Sequence, residues 1–138
     1  MSAYASTVIN ASADEVWKYL RDFGNPAEWV PGITGCEIEG GGKSLPGAVR
    51  RLEGPGGTFR ERLLALDDVS RSAAYEILES PLPVRDYRAF YRVAPVTDSG
   101  SAFVEWSATF EADDMAKIEE FVTRQVFEPG LASLHKCL

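Results

Sequence analysis

Side chains able to do chemistry are few in this sequence, and their spacing narrows the choice further. The single histidine, His135, stands near the C-terminus, and the two cysteines, Cys36 and Cys137, belong to no recognisable motif. Zinc centres draw on clustered Cys and His, and a nucleophilic triad needs a base beside its nucleophile, so both chemistries lack material. Neither a metal nor a cofactor is expected, and no catalytic residue declares itself. What stands out is one acid, Glu61, within residues 58–66. Side chains alternate between the two faces of a strand, so Arg60 and Arg62 share one face while Phe59, Glu61, Leu63 and Ala65 share the other. A carboxylate on the apolar face is costly unless it is paired or hydrogen-bonded. Two readings stay open. One is a structural acid bridged by water or a tyrosine hydroxyl, or lying in a strand of different register; the other is a polar anchor inside a ligand cavity.

The neighbouring segments decide what surrounds that acid. Within residues 86–93, Arg88 and Arg92 point one way and Tyr87, Ala89, Tyr91 and Val93 the other. Within residues 72–78, Tyr75 and Ile77 alternate with Ala74 and Glu76. Placing the arginines in water brings Phe59, Tyr75, Ile77, Tyr87 and Tyr91 inside. Three tyrosines on one inner wall each need a hydrogen-bond partner, which suits a pocket better than a dry core. In residues 102–111 the more apolar row is Val104, Trp106, Ala108 and Phe110, so alternation alone buries Trp106 and exposes Glu105.

These residues need elements to carry them. Residues 4–10, rich in Thr, Val and Ile, predict a strand. Ser12-Ala13-Asp14-Glu15 is a capping box that opens a helix, whose apolar face is Val16, Trp17, Leu20 and Phe23. Gly24-Asn25-Pro26 stops it, and residues 27–30 form a further short helical turn. Six strands follow over residues 36–39, 48–53, 58–66, 72–78, 86–93 and 102–111, separated by Gly, Pro, Asp and Ser turns close enough to demand antiparallel neighbours. Residues 113–136 close the chain as a long helix with Met115, Ile118, Val122, Val126 and Leu134 on one face and a bend at Pro129-Gly130. The expectation is a single α+β domain over residues 1–138: seven antiparallel strands curved around a long C-terminal helix, with two short helices after the first strand. A curled sheet and a bent helix leave space between them.

Bulk properties restrict the partners. At 138 residues with 45% hydrophobic and 25% charged residues, the chain has ordinary globular composition and length for one core. A net charge of −7 argues against nucleic acid and against anionic membrane surfaces. No apolar run approaches the roughly 20 residues of a membrane span, so no membrane insertion is expected. Met1-Ser2-Ala3-Tyr4 has neither a basic start nor an apolar stretch of a secretory signal, and the cytoplasm is the expected compartment.

Taken together, Val16-Trp17, residues 23–29 with Pro31, Gly47-Ala48-Val49-Arg50, Glu61-Arg62-Leu63, Tyr75-Glu76-Ile77, and Trp106 with Phe110 resemble the START/Bet v 1-like (SRPBCC) helix-grip superfamily, specifically its bacterial polyketide cyclase/dehydrase-like branch. The resemblance covers the whole chain and identifies a fold better than a reaction. The sequence is also similar to the plant abscisic acid receptors of that superfamily. Ser44-Leu45-Pro46-Gly47 resembles their gating loop, so Leu45 and Pro46 would form a gate. Glu61 would face the ligand, and Arg85-Asp86-Tyr87 matches a segment whose tyrosine lines the pocket. Glu105 matches a second inward glutamate; followed over the alternation, the resemblance puts Glu105 in the site and leaves the Trp106 row for a partner subunit, as in a homodimer. The receptors' ligand-binding lysine matches Thr34, and their latch is replaced by Leu82-Pro83-Val84, which points away from abscisic acid as the ligand. The superfamily's closing helix implies that Val122, Val126 and Gly130 face the ligand, with Gly130 leaving room; plain core packing is the other reading of that stripe.

The functions these features imply fall into three classes. The first is a carrier or sensor for a small hydrophobic molecule of lipid, polyketide or isoprenoid type, held by Phe59, Glu61, Leu63, Tyr75, Ile77, Tyr87, Ala89, Tyr91, Glu105, Val122, Val126 and Gly130. The second is a cyclase/aromatase or dehydratase in which Glu61 or Glu105 is the general base and Tyr87 or Tyr91 polarises a carbonyl. The third is a co-chaperone-like interaction module presenting Trp29, Trp106 and Phe90 as an exposed patch.

Overall fold

Local signals place the elements where the sequence demands them. The computed structural model describes residues 2–138; Met1, part of the N-terminal stretch considered above, lies outside the described residues. Strand β1 spans Ser2–Ile9 and passes into helix α1, Ala13–Leu20, capped as the Ser12/Glu15 pair requires: Ser12 Oγ accepts the Glu15 N–H at 3.2 Å. Helix α2, Pro26–Trp29, starts on its proline, whose absent N–H would have had no intrahelical partner there. Strands β2 (Gly35–Ile38), β3 (Val49–Gly54), β4 (Gly57–Asp67), β5 (Ser72–Glu79), β6 (Arg85–Pro95) and β7 (Ala102–Glu111) follow.

All seven strands form one antiparallel sheet in the order β1-β7-β6-β5-β4-β3-β2, so the chain's first strand closes against its last. The sheet curves around the C-terminal helix. Two register shifts lie in the β4–β5 pair, one between Arg60 and Glu61 and one between Leu63 and Ala65. Bulges of this kind add twist and re-aim side chains. Here the second shift reverses the parity of β4: Glu61 and Leu63 are buried, Ala65 is exposed, and the half-buried Leu66 packs against the core in its place. The expectation that Ala65 shares the inner face fails at this bulge.

Helix α1 lies across the sheet, with Val16, Trp17 and Leu20 buried. It is tied to the β4–β5 turn by Asp68, which accepts the Trp17 indole N–H at 2.8 Å and the Arg21 Nε–H at 2.9 Å. At the other end, α3 (Met115–Phe121) leads into a π-helical turn, Val122–Phe127, and then α4, Glu128–Cys137. Pro129 explains the irregular turn, because it has no N–H for the Gln125 carbonyl and its ring crowds that carbonyl. Among the described residues no helix is long and apolar enough to cross a membrane.

Candidate ligand cavity

Between the concave face of the sheet and the π-helical turn lies a cavity of about 280 Å³. That is near the small end of ligand sites, which run from roughly 300 to 1,000 Å³. Strands β3 to β7 supply Leu52, Phe59, Ile77, Tyr87 and Trp106 to its wall, and the helix side supplies Val122, Val126 and Phe127. Exposed wall residues mark the mouth: Pro31, Pro55, Phe121 and Gln125.

One corner of this apolar space is polar. Glu61 is buried and its Oε1 receives the Arg50 guanidinium, with Nε at 2.8 Å and Nη2 at 2.7 Å. Arg50 Nη1 donates to the Phe23 carbonyl at 3.1 Å, and the guanidinium lies 4.0 Å over the Phe23 ring and 4.8 Å from the Tyr75 ring centre. Such stacking suits arginine's flat, weakly hydrated cation. Burial opposes the Arg50 charge, but the Glu61 carboxylate outweighs it and holds the guanidinium above its ordinary range. The alternation already contains Arg50: it shares its face with the buried Leu52, and register sets it opposite Glu61.

The tyrosines divide into two groups. Tyr75 and Tyr87 line the cavity. The Tyr75 hydroxyl accepts the Trp106 Nε1–H at 3.1 Å, a bond that joins β5 to β7 across the intervening β6. No described residue hydrogen-bonds the Tyr87 hydroxyl, and its ring stacks on Phe110 at 5.7 Å. Tyr91 turns away toward α1, donating to the Leu20 carbonyl at 3.1 Å. Burial, then the Glu61 charge, holds the Tyr75 phenol well above its usual range; burial does the same for Tyr87 and pushes Tyr91 up to about 12. Folded-state values above the unfolded value of 10.0 stabilise the protein fully below that pH and cease to do so as pH rises through about 12. Base should therefore unfold the protein in this window, with tyrosinate absorbance and loss of circular dichroism rising together. Ionisation of all the tyrosines with the sheet signal intact would contradict the burial described here.

Of the expected site residues, Phe59, Glu61, Tyr75, Ile77, Tyr87, Val122 and Val126 lie on the cavity wall. Leu63, Ala89 and Tyr91 point inward but lie off it, within or against the core. Glu105 is a correction. Alternation holds through β7, so Val104, Trp106, Ala108 and Phe110 are buried, while Glu105 sits on the convex face 3.3 Å from Arg92 and accepts from Tyr4. Trp106 stacks on Phe127 at 4.1 Å, so the molecule's own helix covers the row for which a partner subunit was invoked. Gly130 is a second correction: a Cβ there would meet the Trp106 ring at 3.1 Å and the Trp29 ring at 3.4 Å, so its small size accommodates two indoles and not a ligand. Leu45 and Pro46 are also off the wall. Their loop folds back, with Ser44 Oγ accepting the Phe23 N–H and the Gly47 N–H reaching the Leu63 carbonyl, and Leu45 is 59% exposed. The aromatic patch is a further correction, because Trp106 is buried in the cavity wall and Phe90 lies on the opposite, convex face. Among the described residues no group of three His, Cys, Asp or Glu side chains is arranged to hold a metal ion.

A seven-stranded sheet gripping a C-terminal helix, with a cavity between the two, defines a helix-grip protein of the SRPBCC type. Over residues 1–138 the sequence matches the family described as polyketide cyclase/dehydrase and lipid transport, and the chain belongs to that family. Among solved structures it is similar to XoxI of Bacillus cereus, at 29% identity and TM-score 0.86 over 99% of this chain and 94% of that one. It is similar as well to a Nitrosospira multiformis protein (30% identity, TM-score 0.85, covering 99% and 94% of the two chains). A Thermobifida fusca protein superimposes with TM-score 0.88 at 27% identity, covering 99% and 91%.

Proposed function

We propose that the protein binds one small, mostly apolar molecule of lipid, polyketide or isoprenoid type in this cavity, as a carrier or sensor. The observation that carries the reading is the wall itself: apolar on nearly every side, with hydrogen-bonding groups gathered at one corner around Glu61. Such a site gains affinity from apolar contact and orientation from a few polar groups. Binding is favoured over cyclase or dehydratase chemistry because one Glu61 oxygen is engaged by Arg50 and, among the described residues, no second acid lines the cavity. The test is a thermal-shift screen of lipids, polyketides and isoprenoids, together with native mass spectrometry of freshly purified protein. A ligand at a hundred times its Kd adds about 2.7 kcal/mol, so a true ligand raises Tm by several degrees. A library without a single stabilising compound, and a protein mass without adducts, would defeat the proposal.

A further inference from the structure

We infer that the cavity selects a neutral ligand carrying an alcohol or phenol, and that the Arg50–Glu61 pair rejects carboxylates and ammonium ions of the same skeleton. The inference rests on the binding reading above and adds to it the chemical class of the ligand's polar end. Its basis is which groups at the polar corner are satisfied and which are not. Glu61 Oε1 accepts the Arg50 Nε–H at 2.8 Å with Nη2 at 2.7 Å in the same ion pair, and Arg50 also donates to the Phe23 carbonyl. Glu61 Oε2 has no partner among the described residues, although the Glu61 side chain is only 9% exposed. The Tyr75 hydroxyl accepts from Trp106, which leaves its own proton free to donate, and the Tyr87 hydroxyl is unpartnered among the described residues.

The two charges of the pair cancel within the wall, so the corner offers hydrogen bonds without net charge. A hydroxyl is both donor and acceptor. It can donate to Glu61 Oε2 and accept a phenol proton, answering both kinds of unused group. A carboxylate has no proton for Glu61 and brings a second negative charge into an apolar space where Arg50, the one cation among the described wall residues, is already neutralised. An ammonium ion can donate to Glu61 but brings a second cation beside Arg50. In either case one buried charge is left without compensation, the costly condition for any ion inside a protein. A bare hydrocarbon leaves the Glu61 oxygen and the phenols dry.

The experiment is calorimetric titration of the intact protein at neutral pH with naphthalenemethanol, naphthoate, naphthylmethylammonium and naphthalene, a two-ring skeleton in keeping with about 280 Å³. The alcohol is expected to bind at least tenfold tighter than either ion and tighter than the hydrocarbon. An ion within threefold of the alcohol, or a hydrocarbon that equals it, overturns this inference and leaves the binding reading standing. Failure of all four to bind overturns this inference, and the binding reading falls with it only if the lipid, polyketide and isoprenoid library also yields no ligand. Glu61→Gln keeps an acceptor for Arg50 but strips the compensating charge, so the ratio of naphthoate to alcohol affinity should rise at least tenfold. Retention of the wild-type ratio overturns the role given to the pair. Should that variant fold poorly, Arg50→Met/Glu61→Leu removes both charges and leaves only the phenols to meet the hydroxyl, so the alcohol's advantage over the hydrocarbon should fall at least threefold; an advantage as large as in the wild type counts against the inference equally.

Discussion

Replacing Arg50 by alanine should destabilise the protein by about 3–5 kcal/mol, the usual consequence of stripping one partner from a buried ion pair. Glu61 would remain buried with its carboxylate facing only phenols and hydrocarbon, and the Phe23 carbonyl would lose its donor. The stacked contacts of the guanidinium with Phe23 and Tyr75 disappear with the charge. For a domain of this size such a loss lowers Tm by roughly 10 °C or more. Removing both charges has a different sign of argument, since desolvating two ions offsets most of what their attraction returns. Arg50→Met/Glu61→Leu should accordingly lie within about 1 kcal/mol of wild type. The more exposed Arg62–Glu76 pair is the control: solvent screens it, and Arg62→Ala should cost under about 1 kcal/mol. Urea denaturation of the three variants distinguishes these cases, and an Arg50→Ala protein as stable as the Arg62→Ala protein would refute the pair's structural role. A pair that gives little net stability but is ruinous to break fixes the position of both side chains, which is what a polar corner in a cavity requires.

How far the sequence discloses this site depends on how local each signal is. Turn residues and period-two alternation act within a few positions, so the strands are found nearly to the residue, and β7 is bounded by Ala102 and Glu111 in both descriptions. Alternation also gives the correct facing of Trp106; similarity to the plant receptors pulls Glu105 inward against it, and the strand's own pattern prevails. The partner of Glu61 is harder to see. The run Val49-Arg50-Arg51-Leu52-Glu53 presents one arginine to each face, and only the register of β3 on β4 sets Arg50 opposite the acid. Ala65 escapes because a bulge is a long-range negotiation between two strands, with nothing in β4 alone to announce it. Gly130 shows the limit from the helix side. The family resemblance turns it to the inner face but cannot say whether the missing side chain makes room for a ligand or for Trp29 and Trp106. The cavity itself is the least legible feature, since its volume is what remains after every large side chain has found its place.

Filling that volume should separate binding from stability. Val126 stands on the cavity wall in the π-helical turn and is half-buried, so an indole at this position should extend into the space. Empty apolar volume leaves its lining without contacts on one side, and filling it supplies them. Val126→Trp is therefore expected to fold with stability within about 1 kcal/mol of wild type, or slightly above it. A ligand deprived of roughly 100 Å² of apolar contact loses about 2.5 kcal/mol, which is nearly a hundredfold in Kd. The expected pairing is thus an unchanged or raised urea midpoint with affinity for naphthalenemethanol reduced by about two orders of magnitude. Val126→Ala tests the reverse direction, widening the cavity and shifting preference toward bulkier skeletons. Unaltered affinity in the tryptophan variant would mean that the molecule binds elsewhere on the protein. Loss of folding and binding together would mean that the wall at Val126 has less free space than its position between the π-helical turn and the sheet provides.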